Sequence, residues 1–171
     1  MCRPKILPAG ERKAVIKDIF DPVYFREARI YNLDHKEKKS VVTNDITMGG
    51  DSEGFYVLTG ANNGGKTTFL RAVGLSDNGA DRASYCEISL VDYIYTQFPQ
   101  EEKTGIDTSR FTTEIKEFRE ISDTITANSL LLMNESIQST TPRECVEVAC
   151  ELLRIFCKMG VRGVFATHLV D

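Results

Sequence analysis

The stretch Gly60-Ala61-Asn62-Asn63-Gly64-Gly65-Lys66-Thr67 constrains this chain more than any other, because few folds can use it. It satisfies G-x-x-x-x-G-K-[ST], a loop that cradles phosphate. Glycines allow positive φ and let backbone N–H groups approach an anion with no Cβ in the way. A helix opening near Lys66 would point its unsatisfied N–H groups and its positive dipole end at the same place. Lys66 would neutralise the β- and γ-phosphates of a nucleotide, and the Thr67 hydroxyl would bind Mg²⁺. A flexible surface turn is the alternative, and the context argues against it. Phe55-Tyr56-Val57-Leu58-Thr59 reads as a short strand feeding the loop. Thr67 to Leu75 then has helical character until Ser76-Asp77-Asn78-Gly79 stops it.

A phosphate loop needs a partner strand that carries carboxylates. Leu130-Leu131-Leu132-Met133 is a continuous apolar run, as expected of a central strand in a parallel sheet, and it ends in Asn134-Glu135. In enzymes with such loops the first polar residue after the run helps hold the Mg²⁺ water shell. The next, a glutamate in one large class, polarises the attacking water. Glu135 suits that role, whereas Asn134 offers a neutral carbonyl oxygen and no charge. Two polar residues capping a strand is the plainer alternative. His168 follows the run Phe165-Ala166-Thr167 and reads as a switch histidine that senses the γ-phosphate. Its neutral imidazole can hydrogen-bond phosphate or attacking water, although a lone histidine can also be structural.

The remaining pattern gives the fold class. Phe111, Ile115, Phe118, Ile121 and Ile125 recur at helical spacing between charged residues, which predicts an amphipathic helix with one buried stripe. Thr141-Pro142-Arg143-Glu144 has the form of a capping box with proline at the first helical position. The helix it opens should bury Cys145, Val148, Ala149, Leu152, Leu153 and Phe156 and end at Gly160, with a strand returning from Val161 to Ala166. Ala14-Val15-Ile16 and Ala28-Arg29-Ile30-Tyr31 read as short strands, and His35-Lys36-Glu37-Lys38-Lys39 as a solvated loop. Strands alternating with helices indicate an α/β domain with a mainly parallel central sheet flanked by helices, plus an N-terminal antiparallel β portion.

Bulk properties remove several functions. With 171 residues, 42% apolar and 27% charged, the chain suits one domain with its own core. No apolar run is long enough to cross a bilayer and the N-terminus does not open a secretory signal, so the expectation is a cytoplasmic protein with no membrane partner. Cys2, Cys86, Cys145, Cys150 and Cys157 are odd in number and lack C-x-x-C spacing, which reads as reduced core or flank residues rather than metal ligands. A net charge of −4 gives no basic footprint for nucleic acid, so any DNA contact is expected from segments outside this chain.

These residues resemble the ATPase domain of the MutS mismatch-repair proteins, a branch of the ABC-type ATPases. The family's T-G-P-N-M-G-G-K-S-T stands here as Thr59-Gly60-Ala61-Asn62-Asn63-Gly64-Gly65-Lys66-Thr67-Thr68. Val42-Thr43-Asn44-Asp45-Ile46 is similar to V-P-N-D-I, and Glu87-Ile88 through Val91-Asp92-Tyr93-Ile94-Tyr95-Thr96 to E-I-x-x-I-D-x-I-F-T. Ser109-Arg110-Phe111 with Glu114 resembles the S-T-F-x-x-E signature, and Ala166-Thr167-His168 matches A-T-H. The likeness runs from about Lys13 to the end. It implies one domain over 1–171, with a β-rich segment over 1–50 and the phosphate-loop core over 51–171. By the same resemblance, the family's DNA-recognition and C-terminal dimerisation segments are expected to lie outside this stretch of sequence.

The resemblance also implies a mechanism. ATP and Mg²⁺ would be held by residues 60 to 68 together with Asn134 and Glu135, with Asn62 against the phosphates. Two ATPase domains would pair head to tail, as two copies or with a MutS-like homologue. Ser109 would contact the γ-phosphate of the partner's nucleotide, and residues Ser136 to Thr141 would supply further cross-dimer contacts. Adenine would stack near Ile19, Phe20 or Tyr24. Departures from the pattern are Asn134 for aspartate, Ala61 for proline, Arg110 for threonine, and Ile137 and Ser139 for two glycines. Asn134 keeps open a second reading, an ATP-dependent dimerisation switch with little hydrolysis. Another ABC-type ATPase would carry L-S-G-G-Q and a GTPase N-K-x-D, and neither occurs.

Overall fold

The computed structural model describes residues 2–51, 53–61, 64–77, 83–98, 110–137 and 141–168. Along the chain lie β1 (Lys5–Leu7), a short 3-10 turn (Ala9–Glu11), β2 (Ala14–Ile19), α1 (Pro22–Asp34), β3 (Asn44–Met48), β4 (Phe55–Thr59) and α2 (Lys66–Asp77). They are followed by β5 (Tyr85–Ser89), β6 (Ile94–Gln97), α3 (Arg110–Thr124), β7 (Leu130–Asn134), α4 (Pro142–Met159) and β8 (Arg162–Thr167). The chain divides into two compact units, Met1–Ser52 with Thr67–Leu90, and Glu53–Lys66 with Val91–Asp171.

The first unit holds a four-stranded sheet in the order β1-β5-β2-β3, with β2 antiparallel to both of its neighbours and β1 parallel to β5. The expected antiparallel portion is therefore present, and β5, which follows α2, completes it. Ala14, Ile16 and Ile88 are fully buried on its inner face. The β2–β3 register shifts between Ile16 and Ile19, where Asp18 takes a left-handed φ of 53°. Asp45 stabilises that bulge by accepting the Asp18 N–H at 3.0 Å and the Lys17 ammonium at 3.0 Å. Those two contacts, the backbone one first, hold the Asp45 carboxyl below the usual carboxylate range.

Ala28 to Tyr31, expected to be a strand, lies instead inside α1. Asp21 caps this helix by accepting the Val23 N–H at 2.8 Å, and Pro22 occupies the first turn. That terminus outweighs the strand preference of an isoleucine and a tyrosine. The other oxygen of Asp21, whose side chain is fully buried, sits 3.0 Å from Arg71 Nε of α2. The approach is ionic rather than a directed hydrogen bond. The His35–Lys39 segment is exposed as expected, with His35 stacked on Tyr31 and Lys39 over the same ring.

The second unit holds an all-parallel sheet in the order β4-β8-β7-β6. Register places Leu58 beside Ala166 and Ala166 beside Asn134, so the carboxyl ends of β4, β8 and β7 are level. Helices α3 and α4 bury Phe118, Ile121, Cys145 and Phe156 against Leu131, Met133 and Phe165 on one face of this sheet. All five residues of β7 are buried, as its uninterrupted apolar run implies. Gly163 is required where it stands, because a Cβ there would lie 2.4 Å from the Leu131 carbonyl oxygen and 2.5 Å from the Phe55 ring.

The expected capping box of α4 is present: Thr141 accepts the Glu144 N–H, and the Glu144 side chain accepts the Thr141 N–H. Gly160 closes the helix in the left-handed conformation, with φ of 79°. Cys145, Ala149 and Phe156 are buried while Val148, Leu152 and Leu153 are partly buried. In α3 the stripe is shorter than expected. Phe118, Ile121 and Ile125 are buried, but Ile115 is 45% exposed, and the side chain of Phe111 lies outside the description. The five cysteines are free thiols, with Cys86 and Cys145 buried. Among the described residues no helix is long and apolar enough to cross a membrane.

Candidate functional site

Three parallel strands bring the candidate residues to one edge. β4 delivers the glycine-rich loop, β7 ends in Asn134 and Glu135, and β8 ends one residue before His168. The carboxyl edge of a parallel sheet is where α/β folds place ligands, since strands end there and loops are free to vary. Lys66 opens α2 and is 7% exposed, an expensive position for an ammonium without partners. Its Nζ donates to the carbonyl oxygens of Gly60 at 2.7 Å and Ala61 at 3.0 Å. The Glu135 carboxylate stands 3.8 Å away and compensates the charge.

Glu135 Oε1 is also 3.9 Å from His168 Nδ1. Both separations exceed a direct hydrogen bond, so the carboxylate meets the ammonium and the imidazole through ion-pair approach. The structure thus brings Gly60, Ala61, Lys66, Glu135 and His168 together. Asn134 lies one residue earlier, buried beside Ala166 in the sheet. Thr67 and Thr68 are the second and third residues of α2. Asn62, Asn63 and Ser109 lie outside the described residues, as do positions 138 to 140 of the loop after β7. Of the residues proposed to approach adenine, Ile19 is fully buried in the first sheet and presents no surface for stacking.

The glycine-rich loop has a shape its composition explains. Gly60 and Gly65 have φ of 151° and 84°. Gly64 donates its N–H to Ala61 at 3.1 Å, and a Cβ on Gly64 would come 2.9 Å from that same oxygen. Glycine at 64 and 65 is therefore a steric and conformational requirement of the loop.

The turn after β7 is unusual. Glu135 and Ile137, neither of them glycine, have left-handed φ values of 50° and 64°. The Glu135 N–H is tied to the Ala166 carbonyl at 2.7 Å. Ile137 is 4% exposed and belongs to the α3–α4 core with Phe118 and Cys145. A left-handed β-branched residue costs about 1–2 kcal/mol. Burying an isoleucine side chain contributes about 1.5–3 kcal/mol, so burial at Ile137 outweighs the local strain. Sequence reasoning missed this, since isoleucine is among the last residues expected at positive φ; its one visible signal was the loss of a glycine from the family pattern. An ammonium, a carboxylate and an imidazole brought together at the carboxyl edge of one sheet have the chemistry to bind an anion and to accept a proton from a neighbouring molecule.

Comparison with known proteins agrees with the motifs. The family model for MutS domain V matches residues 56–171. The chain is 35% identical over 150 residues to a protein named endonuclease MutS2 from Finegoldia magna, covering 84% of this chain and 19% of that protein. It is 32% identical over 174 residues to the DNA mismatch repair protein MutS of Methanothrix thermoacetophila, covering 98% of this chain and 19% of the relative. With the DNA mismatch repair protein msh-2 of Neurospora crassa the identity is 27% over 172 residues, covering 97% of this chain and 17% of that protein. The chain spans about a fifth of the length of these relatives. Together with the parallel sheet flanked by helices, the glycine-rich loop and the Lys66–Glu135–His168 cluster, these matches establish that the chain belongs to the MutS family, through its domain V.

Proposed function

We propose that this chain is the ATP-binding and ATP-hydrolysing module of a MutS-like DNA mismatch-repair or DNA-binding protein. It has an ABC-type fold, works in the cytoplasm as one domain, and forms a composite site with a second subunit. The observation that carries the reading is the Glu135 carboxylate held within 4 Å of both the Lys66 ammonium and the His168 imidazole. DNA contacts belong to segments outside this chain.

The residues suit the expected ligands. The loop has the two features a phosphate cradle needs: glycine where a Cβ would strike the Ala61 oxygen, and an ammonium whose own partners are two backbone carbonyls. Phosphate oxygens are stronger acceptors than those carbonyls, so Lys66 exchanges one set for the other when the β- and γ-phosphates arrive. The hydroxyl of Thr67, the amide oxygen of Asn134 and the carboxylate of Glu135 are hard oxygen donors of the kind Mg²⁺ accepts, and would hold it with waters completing the shell. When bound, Mg²⁺ would neutralise phosphate charge and polarise the γ-phosphoryl group.

Glu135 takes the proton of the attacking water as its oxygen approaches the γ-phosphorus, and its strained turn aims the carboxylate at that water. His168 orients the water or a γ-phosphate oxygen. Lys66 stabilises the charge that builds on the oxygen bridging the β- and γ-phosphorus atoms as its bond to the γ-phosphorus breaks and ADP leaves. Asn134 brings no negative charge to the metal side, so turnover is slow. Ser109 of a second subunit completes the γ-phosphate contacts, and Asn62 lines the loop.

The neutral, buried Asn134 favours one alternative, a switch that dimerises on ATP and hardly hydrolyses it. Steady-state hydrolysis with Mg²⁺ across a wide protein concentration range, beside equilibrium ATP binding, separates the two. A composite ATPase gives turnover that rises faster than linearly with protein. Tight binding with no turnover at any concentration selects the switch.

A further inference from the structure

We infer that Ile137 is the positioning residue for Glu135: its side chain, buried between α3 and α4, clamps a left-handed turn that would otherwise relax, and so aims the carboxylate. This rests on the reading of Glu135 as general base. Glu135 and Ile137 are both left-handed, and a strained backbone of that kind persists only where its surroundings fix it. Two attachments are visible. The Glu135 N–H is fixed to Ala166, and Ile137 is inserted into the cluster that includes Phe118, Met133, Cys145 and Phe165. Ser136, between them, is buried, and its hydroxyl has no hydrogen-bond partner among the described residues, so it adds no third tie.

A glycine at 137 would hold the same φ without strain but would insert nothing into the core. The two ways of shaping the turn, backbone freedom and side-chain anchorage, therefore predict opposite results for one substitution. Anchorage also links the site to the helices: a shift of α3 or α4 moves Ile137, and through two peptide units moves the Glu135 carboxylate.

The test compares Ile137→Gly, Ile137→Ala and Ile137→Val with Val161→Ala, which thins the same core just before β8, at the opposite end of that strand from Ala166. Amide hydrogen exchange at Glu135 reports the turn without any nucleotide, and kcat and KM for ATP report its consequence. We expect the glycine and alanine variants to exchange the Glu135 amide at least tenfold faster, with Leu131 and Leu132 in β7 unaffected. Their kcat falls at least tenfold while KM changes less than twofold; valine restores both, and Val161→Ala leaves both alone. A glycine variant with wild-type exchange and kcat overturns the proposal, as does Val161→Ala matching Ile137→Ala in both. If the wild type hydrolyses no ATP, the reading of Glu135 fails, whereas the exchange experiment still decides whether Ile137 clamps the turn. Should the glycine variant not fold, the alanine and valine pair carries the same decision.

Discussion

A buried ammonium needs acceptors, and the acceptors around Lys66 decide what its loop can hold. With carbonyls at 2.7 and 3.0 Å and a carboxylate at 3.8 Å, its charge is compensated, and in the proposed function phosphate oxygens take the place of the carbonyls. Gly64 sets the space beside it. Adding one methyl group at Gly64→Ala brings the Cβ to 2.9 Å from the Ala61 oxygen, a backbone atom that cannot move without reshaping the loop. Such crowding costs about 1–3 kcal/mol. We expect ATP affinity in Gly64→Ala to fall about tenfold, read by isothermal titration, with the melting temperature lowered by the several degrees that such crowding implies. Wild-type affinity would mean that the loop around 61 to 64 does not form the cradle.

At the scale of elements, helix ends are fixed by local chemistry, and their signals differ in visibility. Thr141 opens α4 through a reciprocal box with Glu144, and a cap of this kind is worth about 1 kcal/mol. Thr141→Ala should lower unfolding free energy by about that amount in urea, with an unchanged m-value, while Thr141→Ser should recover most of it. This box was legible because its residues are fixed in type and spacing. The strand–loop–helix around Lys66 and the apolar β7 run were legible for the same reason: each rests on a local steric or burial rule.

The N-terminus of α1 carried an equally local sign, Asp21 followed by Pro22, yet Ala28 to Tyr31 drew a strand reading from its β-branched and aromatic side chains. Ile115 shows the complementary limit. Helical spacing identifies the helix but not how far along it the neighbouring elements reach, and that depends on tertiary packing. The left-handed turn at Glu135 and Ile137 was invisible because its cause, a core pocket assembled from α3, α4 and the sheet, exists only after folding. Lys66, Glu135 and His168, which the sequence singles out, are brought together in the fold, whereas the left-handed turn at Glu135 and Ile137 left no sign in the hydrophobic pattern.

On the scale of the whole molecule, the chain spans about a fifth of its relatives' length and carries a net charge of −4. That net charge gives no overall basic footprint of the kind that follows a DNA backbone. In the proposed scheme DNA affinity therefore resides elsewhere in the assembly, and this module supplies the energy of ATP binding and hydrolysis to it. All of that scheme depends on one carboxylate. The most direct measurement is Mg²⁺-dependent ATP hydrolysis by Glu135→Gln beside the wild type, with ATP affinity measured in both. Loss of a general base costs about 10²- to 10⁴-fold in rate, so the account predicts a collapse of kcat with binding retained. Hydrolysis that continues unchanged in Glu135→Gln would contradict it.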